Sequence, residues 1–565
     1  MKVVLKGFIF AFILSCIVHL PFFSQIPAGL NRDEAALGYN AFSILKTGRD
    51  EYGKLFPISI TSFGDQKLPG YVYTLIPFIQ TFGVTSFAVR LPSLLAGLLV
   101  LFAVGTLSFQ VAEGLHLRGS MKKFFPVIAM VLLAISPWGN HFSRTAYEAH
   151  LAMAAFLWGF AAYIHALAQP KRLRFFIVTA ALWSFTLLTY HSYHILIPLF
   201  VVGLAILDRK TLSKLPSKML LISFLIGGTT VLLLFIGGVL GGNINKSEGI
   251  SPFHLDSLRR QVFVYRQTLP KHLSFLHIFI ANTPSQGFIA FAQNYVRVIA
   301  GDFLFVNGTD HGDHNPGNTP NFHLFTAPFM LLGFLALWEQ RKNPLAKRYL
   351  VWFFLGVAVP AFTIQPQHTV RLSPIFPLLE MFSAFGIVWM FSTIKKPLVR
   401  STYMMILILV GLFFTTRYMI SYLAIIPNIA VTHEKDHALG KALAKYEQYN
   451  NGNVQVITQS PSSSPYIWYL FETKYDPRLL WKNIERYPTD AEHFQHVKRI
   501  SNIFFETIQW DDLATRTTLQ PLILIFKPEE MSNDKRMNSN MSFLEAVQDE
   551  HQRTAYEVWR YGSLR

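Results

Sequence analysis

The chain has 565 residues, of which 51% are hydrophobic and only 15% are charged, and its formal net charge is +17. The apolar residues form long runs rather than alternating with polar ones, which is typical of a polytopic membrane protein. Many lysines and arginines lie in short clusters between these runs, so membrane topology explains much of the positive charge without a nucleic-acid partner. Cys16 is the single cysteine, which excludes an intrachain disulfide and a cysteine-based metal site.

The first predicted element is an apolar run at residues 4–26, preceded by Lys2 and interrupted by Lys6. The run is too long for a signal peptide and lacks a convincing small-residue cleavage site, so we interpret it as an uncleaved first span. Ten further runs have the length that a bilayer requires. They are residues 88–111, 124–140, 149–168, 174–190, 192–207, 218–240, 322–339, 347–364, 373–394 and 402–426.

Alternate threading of the eleven spans places the N-terminus and five basic loops on one side of the membrane. The loops are "EGLHLRGSMKK", "QPKRLR", "DRKTLSKLPSK", "EQRKNPLAKR" and "KKPLVR". The positive-inside rule makes this side cytoplasmic. We therefore predict a polytopic α-helical protein of the cytoplasmic (inner) membrane, with large external loops at residues 27–87 and 241–321.

One apolar segment of the first external loop is too short to span. It is "YVYTLIPFIQTFG", residues 71–83, and counting it as a span would invert every basic loop after it. We predict a helix that lies in the membrane interface, with its tyrosines and phenylalanines at headgroup depth.

The tail differs in character from the rest of the chain. "NVQVITQ" and "PLILIFKP" predict buried strands, and "SPYIWYLFETKY" predicts an amphipathic helix. We expect a transmembrane domain of residues 1–429 and a small extracytoplasmic α/β domain of residues 430–565.

Two carboxylates, Asp33 and Glu34, directly follow the first span. A charge at mid-bilayer costs about 2.5 to 3.5 kcal/mol on insertion scales, and acidic residues at the outer end of a span avoid that cost while still reaching lipid-borne substrates. The alternative is that the pair caps a helix beginning near Ala35, because carboxylates favour helix N-termini. The residues alone leave both interpretations open.

Several spaced motifs favour the first interpretation. "RDEA..GYNA", "TG.DEYG..FP", "GD.KLP.Y.Y" and "VRLPS", in that order after one span, resemble the first external loop of the GT-C glycosyltransferases. The closest branch looks like the protein O-mannosyltransferases and their relatives that transfer aminoarabinose or other sugars from polyprenyl phosphate. "SRTAYEAHL", "GDFLFVNGTDHGDHNPGNTPNFHLFTAPFMLLG" and "HTVRLSPIFP" continue the resemblance. It covers residues 1–430 and leaves the tail unmatched.

The resemblance implies an enzyme that moves a hexosyl or pentosyl group from a polyprenyl-phosphate-linked sugar to an acceptor hydroxyl on a glycan, lipid or protein, in one inverting displacement. Asp33 matches the catalytic carboxylate and is the expected base, while Glu34 is expected to orient the loop. Lys67 matches the position that contacts the lipid phosphate, and Arg371 is a second candidate cation. The alternatives are an interfacial lysine for Lys67 and a headgroup contact for Arg371.

Five more residues are candidates for substrate contacts. Glu148 matches the family's second acidic position, and Arg144 could pair with it on one helix face. Asp65 is either a sugar-hydroxyl ligand or a turn residue. His191 and His194 lie at an outer turn, where they either line the sugar pocket or belong to the interface.

Two other groups carry weaker signals. "DHGDH", residues 310–314, has metal-ligand residue types, but polar loops often have this composition. Metal dependence varies within the superfamily, so the sequence assigns no cofactor and leaves a divalent cation open. Glu380 and Arg417 fall at similar depth in two consecutive spans and are predicted to form a structural ion pair.

Two functions of other classes share these features. A transporter or lipid flippase would have a similar span count, but it would favour charged residues and broken helices near the midplane, whereas most non-cytoplasmic charges here lie at the outer surface. A receptor or scaffold acting through the tail also remains open.

Overall fold

The computed structural model describes most of the chain, in which two compact units are found. One contains Met1–Pro21 and Ser93–Val431, and the other contains Phe22–Pro92 and Thr432–Arg565. The described residues are 2–169, 174–241, 256–429, 433–452, 454–458, 464–490, 494–507, 513, 521–531, 540–549 and 551–562.

The first unit is built from helices. Its longer helices are α1 (Lys2–His19), most of α4 (Ser86–Gly114), α5 (Gly119–Ile135), α6 (Pro137–Arg144), α7 (Glu148–Ala168), α8 (Arg174–Leu187), α9 (Tyr193–Leu212), α10 (Ser217–Gly241), α11 (Asp256–Thr268), α13 (Thr283–Val298), α15 (Ala327–Glu339), α16 (Pro344–Ala361), α18 (Phe376–Thr393) and α19 (Pro397–Ile420). Short helices α12 (His277–Ile280), α14 (Gly301–Phe305), α17 (Thr369–Leu372) and α20 (Ile426–Ile429) lie between or after them.

Ten of the eleven predicted spans overlap an apolar helix, and the eleventh, residues 347–364, overlaps α16. Five helices in the described residues are long and apolar enough to cross a membrane, and a sixth span results if α5 and α6, bent by 60° at Ser136, are counted as one. Pro137 begins the second helix of that pair, which accounts for the bend. Four further apolar helices are shorter. A multi-span helical architecture is thus present, while the count of eleven stays a prediction.

Close helix contacts hold the first unit together. A methyl group on Gly333 of α15 would lie 1.8 Å from the carbonyl oxygen of Phe382, and one on Gly386 of α18 would lie 2.1 Å from that of Phe329. Only glycine permits so close an approach of two helix backbones, which is a recurrent device between membrane helices.

The predicted Glu380–Arg417 ion pair is wrong. Glu380 is buried on α18 beside Ser136 and Trp138, whereas Arg417 is exposed on α19. The salt bridges among the described residues do not include this pair. The reason is that α19 exposes most of its side chains, so equal depth along the two helices does not bring the two residues face to face.

The second unit combines the first predicted external loop with the tail. Its N-terminal part contains α2 (Arg32–Thr47), the hairpin β1 (Ile60–Ser62) and β2 (Asp65–Lys67), and α3 (Pro69–Phe82), which confirms a helix at residues 71–82. The tail contributes α21 (Glu434–Glu447), α22 (Tyr466–Thr473), α23 (Pro477–Asn483) and strands β3 (Gln455–Thr458), β4 (Ile484–Arg486), β5 (Val497–Ile500), β6 (Ile503–Phe505), β7 (Leu522–Phe526), β8 (Met541–Gln548) and β9 (Thr554–Tyr561).

The seven tail strands form one sheet in the order β4-β5-β6-β3-β7-β9-β8. Strand β3 runs parallel to β6 and β7, and the other neighbours are antiparallel. The predicted buried strands are confirmed as β3 and β7, and every residue of β7 is buried. A small α/β fold of the tail is therefore present.

Helix α22 is buried rather than amphipathic, contrary to the prediction. All six residues from Tyr466 to Phe471 are buried, because α2 and α21 pack against it. Glycines make both approaches close: a methyl group on Gly38 of α2 would lie 2.7 Å from the Phe471 ring, and one on Gly440 of α21 would lie 2.9 Å from the Trp468 backbone.

Candidate active site

Helix α2 presents the two N-terminal carboxylates in different directions. Asn31 caps the helix by accepting from the backbone N–H of Glu34 at 2.9 Å, and the Glu34 carboxylate accepts from the Asn31 N–H at 3.1 Å. This reciprocal capping box holds Glu34 against the start of the helix. The Asp33 side chain, one residue earlier, is 56% exposed.

Glu34 is also held by a buried arginine. Arg90 donates from Nε to Glu34 Oε1 and from Nη2 to Oε2, each at 3.0 Å, and both side chains are almost fully buried. The same guanidinium donates to the carbonyl oxygens of Ser24, Pro27 and Gly29, which precede α2. Such a fork pair fixes direction as well as distance. Glu34 and the "VRLPS" arginine thus orient the loop around Asp33.

Asp33 and Lys67, predicted from separate motifs, lie together. Lys67 Nζ donates to Asp33 Oδ1 at 2.6 Å, with the lysine 8% and the aspartate 56% exposed. The Lys67 ammonium also lies 6.0 Å from the centroid of the Phe63 ring. A buried cation therefore stands beside an accessible carboxylate.

The β1–β2 hairpin delivers Lys67 to this position. Phe63 and Gly64 form a two-residue turn with φ of 59° and 78°, as the tight hairpin turns that match strand twist require. Asp65 follows the turn and pairs with Ser62, so its place is that of a turn-flanking residue. Lys67 lies two residues further, opposite Ile60.

The "DEYG" motif, residues 50–53, forms a loop for which the sequence analysis predicted no role. The Asp50 carboxylate accepts from the backbone N–H groups of Tyr52 at 3.0 Å, Lys54 at 2.9 Å and Thr61 at 3.4 Å. Asp50 therefore ties the turn to strand β1, and Glu51 is left pointing inward.

Glu51 is fully buried and meets the tail. The Tyr466 hydroxyl donates to Glu51 Oε1 at 2.5 Å, and Arg486 Nη2 lies 3.8 Å from the same oxygen. Burial raises the pKa of Glu51 to about 7; Asp50 raises it further, while Arg486 and the Tyr466 hydrogen bond oppose the shift. Sequence reasoning missed this group because its partners lie some 400 residues away.

In the first unit, Glu148 and Arg144 do not share a helix face as predicted. Arg144 is the last residue of α6 and Glu148 the first of α7, because Thr145 is extended. Arg144 is fully buried and donates to Asn140 Oδ1 at 2.9 Å and to the Val18 carbonyl at 3.1 Å. Arg144 therefore braces the end of α6.

Glu148 and Arg371 are both close enough to one tyrosine to act on it electrostatically. Tyr190 lies within electrostatic reach of both charged groups. Arg371 belongs to α17, whose start is capped by His368: the imidazole Nδ1 accepts from the Arg371 N–H at 3.3 Å. The Arg371 side chain is half-buried and makes a long contact of 3.5 Å with the Gln365 carbonyl.

The predicted histidines follow that tyrosine, with His191 in the turn between α8 and α9 and His194 in the first turn of α9. Their ring centroids are 5.3 Å apart, with His191 exposed. His194 Nε2 donates to the Leu187 carbonyl at 2.8 Å, which closes the turn. His194 is thus occupied by backbone, while His191 faces outward beside Tyr190.

The "DHGDH" segment forms a histidine cluster in the same unit. The His311 and His314 rings stack at 4.2 Å, and His368 lies 4.6 Å from His314. Burial and the neighbouring imidazoles hold the pKa of His314 well below its usual value and lower that of His368 to about 3, the latter also through Arg371. Among the residues that the structure describes, no group of three or more His, Cys, Asp or Glu side chains is arranged to hold a metal ion.

Comparisons with known proteins place the fold. No protein-family model and no curated protein match the chain. The oligosaccharyltransferase of Archaeoglobus fulgidus, tethered with an acceptor peptide containing the NVT sequon, is similar with a TM-score of 0.51 and 12% identity, over 83% of this chain and 62% of that one. ArnT from Cupriavidus metallidurans, bound to undecaprenyl phosphate, gives 0.50 and 10% over 99% of this chain and 97% of that one.

The chain therefore shares the fold of these two structures. This confirms the architecture that the loop motifs implied. The chain spans less than two thirds of the length of the oligosaccharyltransferase. Identities this low establish a shared fold and leave the activity to be argued from the residues.

Proposed function

We propose that the protein is an integral membrane glycosyltransferase that moves a sugar from a polyprenyl-phosphate donor to an acceptor hydroxyl on the outer face of the cytoplasmic membrane. The proposal includes eleven spans within residues 1–429, cytoplasmic basic loops, and an extracytoplasmic domain at residues 430–565. The two similar structures support a polyprenyl-phosphate donor and a separate acceptor, since one is bound to undecaprenyl phosphate and the other carries an acceptor peptide.

The Asp33–Lys67 pair carries the proposal. The lysine is 8% exposed and lies next to a carboxylate that is 56% exposed and that substrate can reach. The two charged groups form an ion pair at 2.6 Å. A donor phosphate would compete for Lys67 and leave Asp33 available to a hydroxyl group.

The reaction then follows from the two charges. Asp33 accepts the proton of the acceptor hydroxyl while the oxygen attacks the anomeric carbon from the face opposite the phosphate. The bond between the anomeric carbon and the phosphate oxygen breaks, and the lipid phosphate leaves with the electron pair. Lys67 stabilises the negative charge that develops on it. The sugar is transferred with inversion.

The other residues take supporting roles in this proposal. Glu34 positions Asp33 through Arg90 and the capping box. In the first unit, Arg371 is assigned to an anionic substrate group, and Glu148 and His191 to hydroxyl groups of sugar or acceptor. Three candidates are assigned structural roles. Asp65 flanks the β1–β2 turn, Arg144 stabilises the end of α6, and His194 donates to a backbone carbonyl.

The test is transfer of radiolabelled sugar from a panel of polyprenyl-phosphate sugars by the purified protein in liposomes. We expect Asp33→Asn and Lys67→Ala to lose transfer. The exposed Glu113–Lys122 pair, with N–O distance 2.8 Å, provides matched controls in Glu113→Gln and Lys122→Ala, which should transfer normally. Unimpaired transfer by Asp33→Asn would sink the mechanism, and absence of transfer from every donor would favour a transporter.

A further inference from the structure

Residues 256–299, which lie between α10 and α15, expose many large apolar side chains. We call residues 256–299 the outer arm; it contains α11, a 3₁₀ helix at Lys271–Leu276, α12 and α13. Ile278 is 76% and Phe288 70% exposed. Other exposed members are Phe263, Val264, Tyr265, Phe275, Phe279, Ile280, Ile289, Val296 and Ile299. Many exposed large apolar side chains along one segment indicate a surface that contacts a partner or a membrane.

Contacts with α16 show where the arm lies along that helix. Asn294 donates to the carbonyl oxygens of Ala361 and Thr363, at the end of α16, and the Tyr295 hydroxyl donates to the Phe354 carbonyl at 3.0 Å. Phe354 lies seven residues before Ala361, roughly 10 Å along the helix axis. Helix α13 therefore packs beside the last two turns of a proposed span rather than beyond its end.

The charges of the arm fit a lipid surface. Asp256 is the only acidic residue among residues 256–299. The basic residues Arg259, Arg260, Arg266, Lys271 and Arg297 are all exposed. Basic side chains next to exposed aromatic and aliphatic ones are the pattern of segments that lie in the interface, with phosphates bound by the former and acyl chains by the latter.

We propose that the outer arm is embedded in the outer leaflet, with Ile278, Phe279 and Phe288 among phospholipid acyl chains and the arginines at headgroup phosphates. The occupant of this apolar surface is bilayer lipid, and the inference does not depend on sugar transfer. Embedding explains why a loop predicted as external keeps so much apolar surface, since the bilayer removes it from water.

The arm is also joined to the segment that carries Arg371. Gln367 Nε2 donates to the Arg297 carbonyl at 3.2 Å, at the end of α13. If the proposed function holds, a lipid whose phosphate binds Arg371 would therefore have bilayer-embedded structure close by. This consequence rests on that function, whereas the embedding itself is tested without it.

The single cysteine makes the experiment direct. In a Cys16→Ser background, spin labels are placed by Ile278→Cys and Phe288→Cys in the full chain reconstituted in liposomes, and depth is measured from collision with oxygen and with a water-soluble nickel chelate. Phe413→Cys on α19, 60% exposed, provides the lipid-facing control, and Phe543→Cys on strand β8, 51% exposed, provides the water-facing control.

We expect both arm labels to lie about 5 to 10 Å below the boundary of headgroups and acyl chains. Nickel collision rates at the arm equal to those at residue 543 would overturn the proposal. An embedded depth for one label only, with the other label as accessible to nickel as residue 543, would contradict embedding of the whole surface. These readouts do not use activity, so a failed transfer assay leaves them unaffected.

Discussion

Residues 22–92 contain the predicted external loop 27–87, and residues 256–299 lie within the predicted external loop 241–321, yet the side chains of the two segments have opposite surroundings. The first segment buries Glu34, Glu51 and Arg90 against protein partners and leaves Asp33 accessible. The second buries few side chains and exposes phenylalanine and isoleucine. The difference teaches that position outside a span does not define surface chemistry: one segment is organised by protein contacts, and the other, as we propose, by lipid.

The strongest way to test the first half of this comparison is Asp33→Asn. Loss of a general base costs about 10²- to 10⁴-fold in rate, so single-turnover transfer should fall by that factor. Donor binding should persist, because Lys67 keeps its charge. Glu113→Gln serves as the control with an equal chemical change at another exposed ion pair. An equal loss in both variants would remove the special role of Asp33.

Arg90→Met probes the protein contacts that hold the same loop. It leaves the Glu34 carboxylate buried without its fork partner, and breaking a buried pair costs about 3 to 5 kcal/mol in the free energy of unfolding. The double variant Glu34→Gln/Arg90→Met should recover part of that loss, because no uncompensated charge remains. Denaturant unfolding of the purified protein measures both. If the single variant is as stable as wild type, Arg90 does not hold the loop.

Lys67→Met tests whether Lys67 contributes to donor binding or to stability. A hydrogen bond to a charged group contributes about 1.5 to 3 kcal/mol, which corresponds to roughly a 10- to 100-fold weaker binding of the donor phosphate. Stability should change little, since the Asp33 left behind is 56% exposed and water can solvate it. Titration of a polyprenyl phosphate measures the affinity. A large loss of stability with unchanged affinity would make Lys67 a structural residue.

Local signals predicted much of the fold and part of the site. Long apolar runs located the helices, and ordered motifs brought Asp33 and Lys67 together although 34 residues separate them. The capping role of Glu34 was also readable, since Asn31 and Glu34 have the spacing of a capping box. Arg90 belongs to the "VRLPS" motif, but nothing in the sequence indicates that it pairs with Glu34.

Contacts between residues far apart in the chain could not be predicted from the sequence. Glu51 and Tyr466 are 415 residues apart, and nothing in "DEYG" indicates which carboxylate turns inward. Arg144 and Glu148 were placed on one helix face because "SRTAYEAH" contains no glycine or proline to mark the break between α6 and α7 at this point. Strands β8 and β9 were missed as well, although "TAYEVWRY" has the β-branched and aromatic composition of a strand.

Glu51 gives a prediction whose sign with pH is fixed by the direction of its pKa shift. Its pKa is about 7 in the folded protein, against an ordinary value of 4.5, so the folded state binds more protons than the unfolded state between these pH values. The stability that protonated Glu51 contributes is therefore fully present below pH 4.5 and is lost as the pH rises to 7, with a slope of at most about 1.4 kcal/mol per pH unit.

Glu51→Gln keeps an oxygen for the Tyr466 hydroxyl and removes the titration, so it should flatten the curve and be more stable than wild type at pH 7. Glu485→Gln, at an exposed pair with Lys498, should leave this slope unchanged. Unfolding midpoints measured from pH 5 to 8 decide, and a parallel curve for Glu51→Gln would show that the carboxyl is already ionised in the folded protein and that Arg486, rather than burial, controls it.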